Sequence, residues 1–273
     1  MSEQESLTAY VDAWWRSIGD FTALLEQLPE EEWSTPTDLP GWTVHDVAAH
    51  IAHLERVSVG GEHDAVDGVE VGSPEHVRSP MSVFTEQGVI ARRDVPPAEL
   101  IASIRTDTAQ RHAALADLRR SAADPADGLF GAIGWTFGTL LRNRPLDVWM
   151  HEQDVRRAVG RPGGMDSVGA QHTADYLSEG FGFVVGKRVG AAPGTTAVLA
   201  VEGSPVVAVG IDEDGRGRRL AEEPAGPTVR IAMSRETFVA AAGGRVPAST
   251  DDVDVSGDAE LAQRILAKLA TTP

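Results

Sequence analysis

Apolar positions recur at helical spacing along the first two-thirds of the chain and then give way to short Val-rich runs. Residues 6–28 carry Val11, Trp14, Trp15, Ile18, Phe21, Leu24, Leu25 and Leu28 at intervals of three and four, which predicts an amphipathic helix. The stretch PEEEWSTPTDLPGW is turn material. A second helix starts in TVHDVAAHIAHLERV, where Thr43 and Asp46 form a capping-box pattern with Asp in place of Glu or Gln. Residues 59–80 are rich in Gly, Asp and Ser and read as a long loop. A third helix follows DVPPAEL and runs through Leu118, with proline at its start. A fourth covers 136–159 with Pro145 inside it, so a bend or restart is expected near Arg144. A fifth, weakened by glycines, spans 166–189.

Past GAAPGTT the texture changes. TAVLAVEG, PVVAVGID, TVRIAMS and DVDVSG read as strands separated by turn residues. Between them SRETFVAAAGG is a short helix capped by Ser234, and Asp258 caps a last helix in AELAQRILAKLA. The pattern therefore predicts a helical domain over residues 1–191 and a small α+β domain over 192–273.

Charge narrows the function classes. A formal charge of −17, from 24 basic and 41 acidic residues, repels phosphate backbones and anionic lipid surfaces, which argues against nucleic-acid and membrane partners. No run approaches the ~20 apolar residues of a membrane helix, and MSEQESLTAY lacks the basic start and apolar run of a signal peptide, so a cytoplasmic location is expected. The chain has no cysteine, so any metal must be held by His, Asp or Glu and any thiol must come from outside.

One helical stretch carries candidate chemistry. In RNRPLDVWMHEQDVRRAVGRP, Asp147 and His151 are four residues apart and stack on one helix face. They are either an i, i+4 pair worth a few tenths of a kcal/mol or two ligands of a metal that needs a third from a neighbouring helix. His50, at the edge of the second helix's apolar stripe, is that third ligand or a core histidine bonded to a carbonyl. Asp46 and Asp154 are either partners for the second ring nitrogens of His50 and His151 or solvated charges. His63, His76 and His112 read as ordinary surface residues.

Two segments also carry a resemblance. LPGWTVHDVAAHIAHLE and DVWMHEQDVRRAVGRP resemble the metal-site helices of the mycothiol-dependent maleylpyruvate isomerase family, within the wider DinB-like superfamily. The C-terminal SRETFVAAAGGRVPASTDDVDVSGDAELAQRILAKLATTP is similar to that family's second domain, which resembles sterol carrier proteins. The resemblance implies an α + (α+β) chain: a DinB-like four-helix bundle, then a sterol-carrier-like domain. It implies a divalent metal, zinc first, on His50, Asp147 and His151, although the family's acid is often Glu. It further implies mycothiol as thiol cosubstrate, a small electrophilic substrate, and a C-terminal arginine near the site, with Arg245 matching best and Arg235 as the alternative. The arginine bias, with only Lys187 and Lys268 as lysines, is compatible with an actinobacterial host. The function so implied is that of an S-transferase or isomerase, transfer favoured, in a monomer or homodimer. A thiol-independent metal hydrolase and a non-catalytic small-molecule or metal binder remain as alternatives.

Overall fold

The computed structural model describes residues 2–117 and 119–272 and divides into two compact units, Met1–Gly164 and Met165–Pro273. The first unit is helical. Its elements are α1 (Glu3–Leu25), α2 (Val44–Ser58), α3 (Pro80–Ile90), α4 (Pro97–Leu115), the short α5 (Gly128–Ala132) and α6 (Phe137–Ala158). α1 packs along α6, and α2 packs on α4, α3 and α6. The apolar stripe that predicts α1 supplies Trp14, Ile18, Phe21 and Leu25 to the core, where they meet Val47 and Ile51 of α2, Ile104 of α4 and Val148 of α6. Burial of such a stripe is the main stabilisation of helices this polar on their outer faces.

Several local expectations are met by side-chain chemistry. Thr43 Oγ1 accepts from the Asp46 amide at 3.3 Å while Asp46 Oδ2 accepts from the Thr43 amide at 2.9 Å, closing the capping box that starts α2. Ser234 and Asp258 cap their helices through the amides of Thr237 and Leu261, at 3.1 and 2.9 Å.

Other expectations are corrected. α6 runs unbroken from Phe137 to Ala158 through Pro145, so no restart occurs near Arg144. Packing against α1 outweighs the roughly 3 kcal/mol that an interior proline costs. α3 was not expected; its apolar residues show no strong helical stripe, and Ser79, with Pro80 at the first position, supplies the start signal. The third predicted helix ends at Leu115, and Leu118 lies outside the described residues. The predicted fifth helix divides into α7 (Val168–Ser178) and α8 (Phe181–Phe183), the latter continuing as a π-helical turn over Val184–Arg188.

The second unit begins before the strands do and takes α7 and α8 with it. Its sheet has five strands in the order β3-β2-β1-β4-β5: β1 (Thr196–Val201), β2 (Val207–Ile211), β3 (Gly217–Arg219), β4 (Val229–Met233) and β5 (Asp254–Gly257). β1 and β4 are parallel, with Leu199 opposite Ile231, and every other pair is antiparallel. α9 (Arg235–Ala242) lies between the neighbouring antiparallel strands β4 and β5 in the chain, and α10 (Ala259–Leu266) packs on β4. β3, only three residues long, is too short for a periodic signal in the sequence. α8 can sit against it because Gly182 and Gly217 touch backbone to backbone: a Cβ on Gly217 would lie 2.2 Å from the Gly182 carbonyl oxygen. Among the described residues no helix is long and apolar enough to cross a membrane.

Candidate metal centre

The candidate ligands come from two helices of the first unit. The capping box fixes where α2 begins, and hence the face on which His50 falls, two turns in. Thr136 caps α6 by accepting from the Thr139 amide at 3.1 Å, and Asp147 and His151 project from that helix one turn apart. The structure brings all three together. His50 Nε2 is 3.5 Å from Asp147 Oδ2, and His151 Nε2 is 3.6 Å from Asp147 Oδ1. The imidazole rings of His50 and His151 meet edge-on with centroids 4.6 Å apart. One donor atom from each residue falls within 4.8 Å of the other two.

Those distances suit a cation. Nitrogen and oxygen ligands at ordinary zinc distances around a tetrahedral ion lie about 3.4 Å from each other, close to both carboxylate–imidazole separations here. The hydrogen-bonding of His50 points the same way. Its ring is buried, yet among the described residues neither Nδ1 nor Nε2 has a hydrogen-bond partner. Buried polar atoms are nearly always satisfied, so an unpartnered imidazole beside a carboxylate fits a ligand site.

The charge states of His50 and Asp147 suit a cation site. Burial pushes the His50 imidazolium pKa down, and the Asp147 charge only partly opposes it, so the ring is neutral with a free lone pair. Burial alone would raise Asp147, but the adjacent Arg144 guanidinium, with smaller help from His50 and His151, holds its carboxyl well below the usual range. The Asp147 side chain is 21% exposed against 5% and 8% for the two histidines, so the carboxylate edge is the solvent-facing side.

Surrounding groups orient the set. His151 Nδ1 lies 3.0 Å from Asp154 Oδ2; with its proton on Nδ1 the ring donates there and turns the Nε2 lone pair toward Asp147. Asp154 is itself held by Arg157 Nη2 at 2.5 Å. Asp46 plays no such part for His50. One of its oxygens closes the capping box and the other accepts from Arg93 Nε at 3.1 Å, so the carboxylate is spent on helix initiation.

Sequence reasoning missed the wall of the site. The Trp42 ring lies 5.1 Å from the His50 ring and 6.1 Å from the His151 ring. Its Nε1 donates to the buried Glu86 Oε2 at 2.8 Å, which also meets His76 Nε2 at 3.0 Å. His76 is therefore tied to a buried acid on α3 rather than solvated. The signal for Trp42 was its place one residue before the N-cap of α2; nothing in the sequence pairs it with Glu86. Arg144 was named only as a helix break, and Glu55 and Arg111 not at all, although all three are buried charges.

The other histidines have separate roles. His45 Nε2 pairs with the Val95 carbonyl at 2.8 Å, His112 stacks on Trp15, and His53 meets His63 at 3.3 Å between Nε2 and Nδ1. The two candidate arginines belong to the second unit. Arg235 is committed to local structure, donating to the carbonyl of Met165, to Gln171 Oε1 and to the carbonyl of Gly203. Arg245, half-buried just past α9, donates from Nη1 to the Gly243 carbonyl at 2.6 Å.

Comparison with known proteins yields two domain matches. Residues 14–156 match the mycothiol maleylpyruvate isomerase N-terminal domain, and residues 171–264 match the corresponding C-terminal domain. Uncharacterized proteins from two strains of Mycobacterium tuberculosis are 26% identical over 144 residues, which is 52% of this chain and 52% of theirs. The chain thus aligns with about half the length of these curated relatives. The crystal structures of the mycothiol-dependent maleylpyruvate isomerase and of one of its mutants superpose with TM-scores of 0.54 and 0.55 at 19% identity, covering 94% of this chain and 93% of theirs. At that identity the superposition speaks for the fold.

Proposed function

This chain belongs to the mycothiol-dependent maleylpyruvate isomerase family, and on that premise we propose that it uses mycothiol to modify a small electrophile at a divalent metal held by His50, Asp147 and His151. The observation that carries the reading is the convergence of a carboxylate and two imidazoles at cation-ligand spacing, one of them buried without a hydrogen-bond partner. Zinc suits a donor set of two neutral nitrogens and one carboxylate oxygen with a position left open. A cation there would supply a Lewis acid beside which a thiol loses its proton near neutral pH.

The protein's own groups do the rest. Asp147 and neutral His50 provide a shell with a single negative charge, and Trp42 closes one side with an apolar face against bulk water. The exposed edge of Asp147 marks the approach for thiol and substrate. Arg245 is the residue we assign to a substrate carboxylate or to the negative charge that develops as the thiol adds. The reading takes the helical unit as a DinB-like four-helix bundle and the sheet unit as a sterol-carrier-like domain. The donor set serves two outcomes. Retention of the new thioether makes the reaction a transfer, which we favour, and expulsion of the thiol after bond rotation makes it an isomerisation.

The test is metal analysis of wild type beside His151→Ala, followed by mass-spectrometric screening of electrophiles with and without mycothiol. Metal is expected in wild type and depleted in the variant, with products that carry the thiol or need it to form. Turnover of an ester or amide without thiol would shift the assignment to hydrolysis; equal metal content in both proteins would refute it.

A further inference from the structure

We infer that Arg144 is a positioning residue for Asp147, fixed in turn by the buried carboxylate of Glu55. The inference rests on the metal reading above and names residues outside the ligand set.

Arg144 precedes Asp147 by three residues and therefore shares its face of α6. Its side chain is 1% exposed. Burying a guanidinium without partners costs several kcal/mol, so its donors must be met. Glu55 Oε1 accepts from Arg144 Nε at 3.1 Å and from Nη2 at 2.6 Å. The remaining terminal nitrogen, Nη1, donates to Asp147 Oδ2 at 2.7 Å. Glu55 is itself pinned from two further helices: Trp14 Nε1 of α1 donates to Oε1 at 3.0 Å, and Arg111 Nη1 of α4 donates to Oε2 at 3.1 Å. Groups from α1, α2, α4 and α6 thus meet at one carboxylate, and one arm of that junction reaches the candidate ligand.

The geometry has two consequences at the site. An Asp side chain swings about two torsions, and Arg144 removes that freedom by claiming Oδ2, the oxygen that faces His50. Oδ1 is then left toward His151. Charge is the second. A lone guanidinium beside a dication would repel it, but Glu55 and Asp147 balance Arg144 and Arg111, so the four side chains sum to zero. Burial works against ionising Glu55, and the charges of Arg144 and Arg111 outweigh it and keep the carboxylate charged. Arg144 therefore orients Asp147 through the Nη1 bond, while its own positive charge is matched by Glu55 and Asp147.

A purely structural cross-link between helices would show the same bonds, so the test needs a readout that stability does not move. Metal-free protein is titrated with Co2+, and the ligand-field spectrum gives both affinity and coordination. Arg144→Lys keeps the charge but cannot span Glu55 and Asp147 together. Its Co2+ affinity is expected to fall about tenfold or more, the usual effect of losing a group that orients a ligand, with an altered band intensity. Leu7→Ala, a core change on α1 away from the junction, serves as a control for lowered stability and keeps the wild-type affinity and spectrum. If Arg144→Lys does not fold, Glu55→Asp retracts the support by one methylene with every charge in place, and the same loss is expected. Wild-type affinity and spectrum in the folded Arg144 or Glu55 variant would overturn the positioning role. Equal Co2+ affinity in wild type and His151→Ala would instead remove the metal reading, and this role with it.

Discussion

Replacing His50 by leucine should make the metal-free protein more stable and the metal-loaded protein less so. In the absence of metal the imidazole is buried and neither nitrogen makes a hydrogen bond among the described residues, Nε2 having only the Asp147 carboxylate at 3.5 Å. Each such group costs about 1–3 kcal/mol in desolvation, and an apolar residue of similar size removes that cost. Leucine forfeits the ring contacts to Trp42 and His151, worth roughly 0.5–1.5 kcal/mol each at most. The balance for the metal-free variant is a gain of about 1 kcal/mol. Wild type has a compensation that the variant lacks: at a free metal concentration about 100-fold above Kd, binding adds about 2.7 kcal/mol. The expected order of stability is therefore metal-free wild type, then His50→Leu with or without metal, then metal-loaded wild type. Urea unfolding of both proteins, in chelator and in excess Zn2+, measures all four states. An equal zinc-dependent rise in midpoint for both proteins would show that the ring is no ligand. Loss of stability in the metal-free variant would show that its nitrogens are satisfied after all.

Three further outcomes follow from neighbouring groups. Asp154→Ala frees His151 Nδ1 and should weaken metal binding about 10–100-fold; an unchanged dissociation constant would refute the orienting role. Burial, with the Arg92 charge adding to it, pushes His53 down to about 3. The unfolded chain then binds a proton below its ordinary pKa that the folded chain refuses, so stability present at neutral pH is lost as pH falls. Between about pH 7.5 and about pH 5 the loss from this group is roughly 2 kcal/mol, and it should be missing from the urea stability of His53→Gln; parallel pH slopes in the two proteins would refute it. Gly88→Ala sets a methyl 2.1 Å from the His53 ring where α3 crosses α2, and should cost roughly 1–3 kcal/mol; an unshifted midpoint would show that the helices give way freely.

What the sequence disclosed followed from local periodicity. The stripe on α1, the capping box of α2 and the Val-rich strands each leave a signal within one element; the cap and strands appear where they were read, while α1 spans Glu3–Leu25 rather than 6–28, with Leu28 beyond it and Trp15 exposed. The i, i+4 spacing of Asp147 and His151 is equally local. Their meeting with His50 is not local: the helix pattern offered His50 as a third ligand or a core histidine and left the two open, and the resemblance favoured the first. Glu55 was illegible for the same reason, since its partners lie 41, 56 and 89 residues away in Trp14, Arg111 and Arg144. Its one local trace is a carboxylate directly after Leu54, on a helix whose neighbouring positions are buried. Asp46 shows the opposite case: the Thr43–Asp46 pattern already committed that carboxylate to the cap, which left His50 Nδ1 without it.

The length of the acid at position 147 fits the same geometry. Each carboxylate oxygen of Asp147 stands about as far from one imidazole nitrogen, at 3.5 and 3.6 Å, as two ligands of a tetrahedral zinc stand from each other. Another methylene would displace the carboxylate from the Arg144 donor that now sits 2.7 Å away. The length of the acid and the reach of the arginine are thus matched: Arg144, anchored to Glu55 in the interior, fixes where the carboxylate can stand, and at that distance aspartate spans the gap between the two helices.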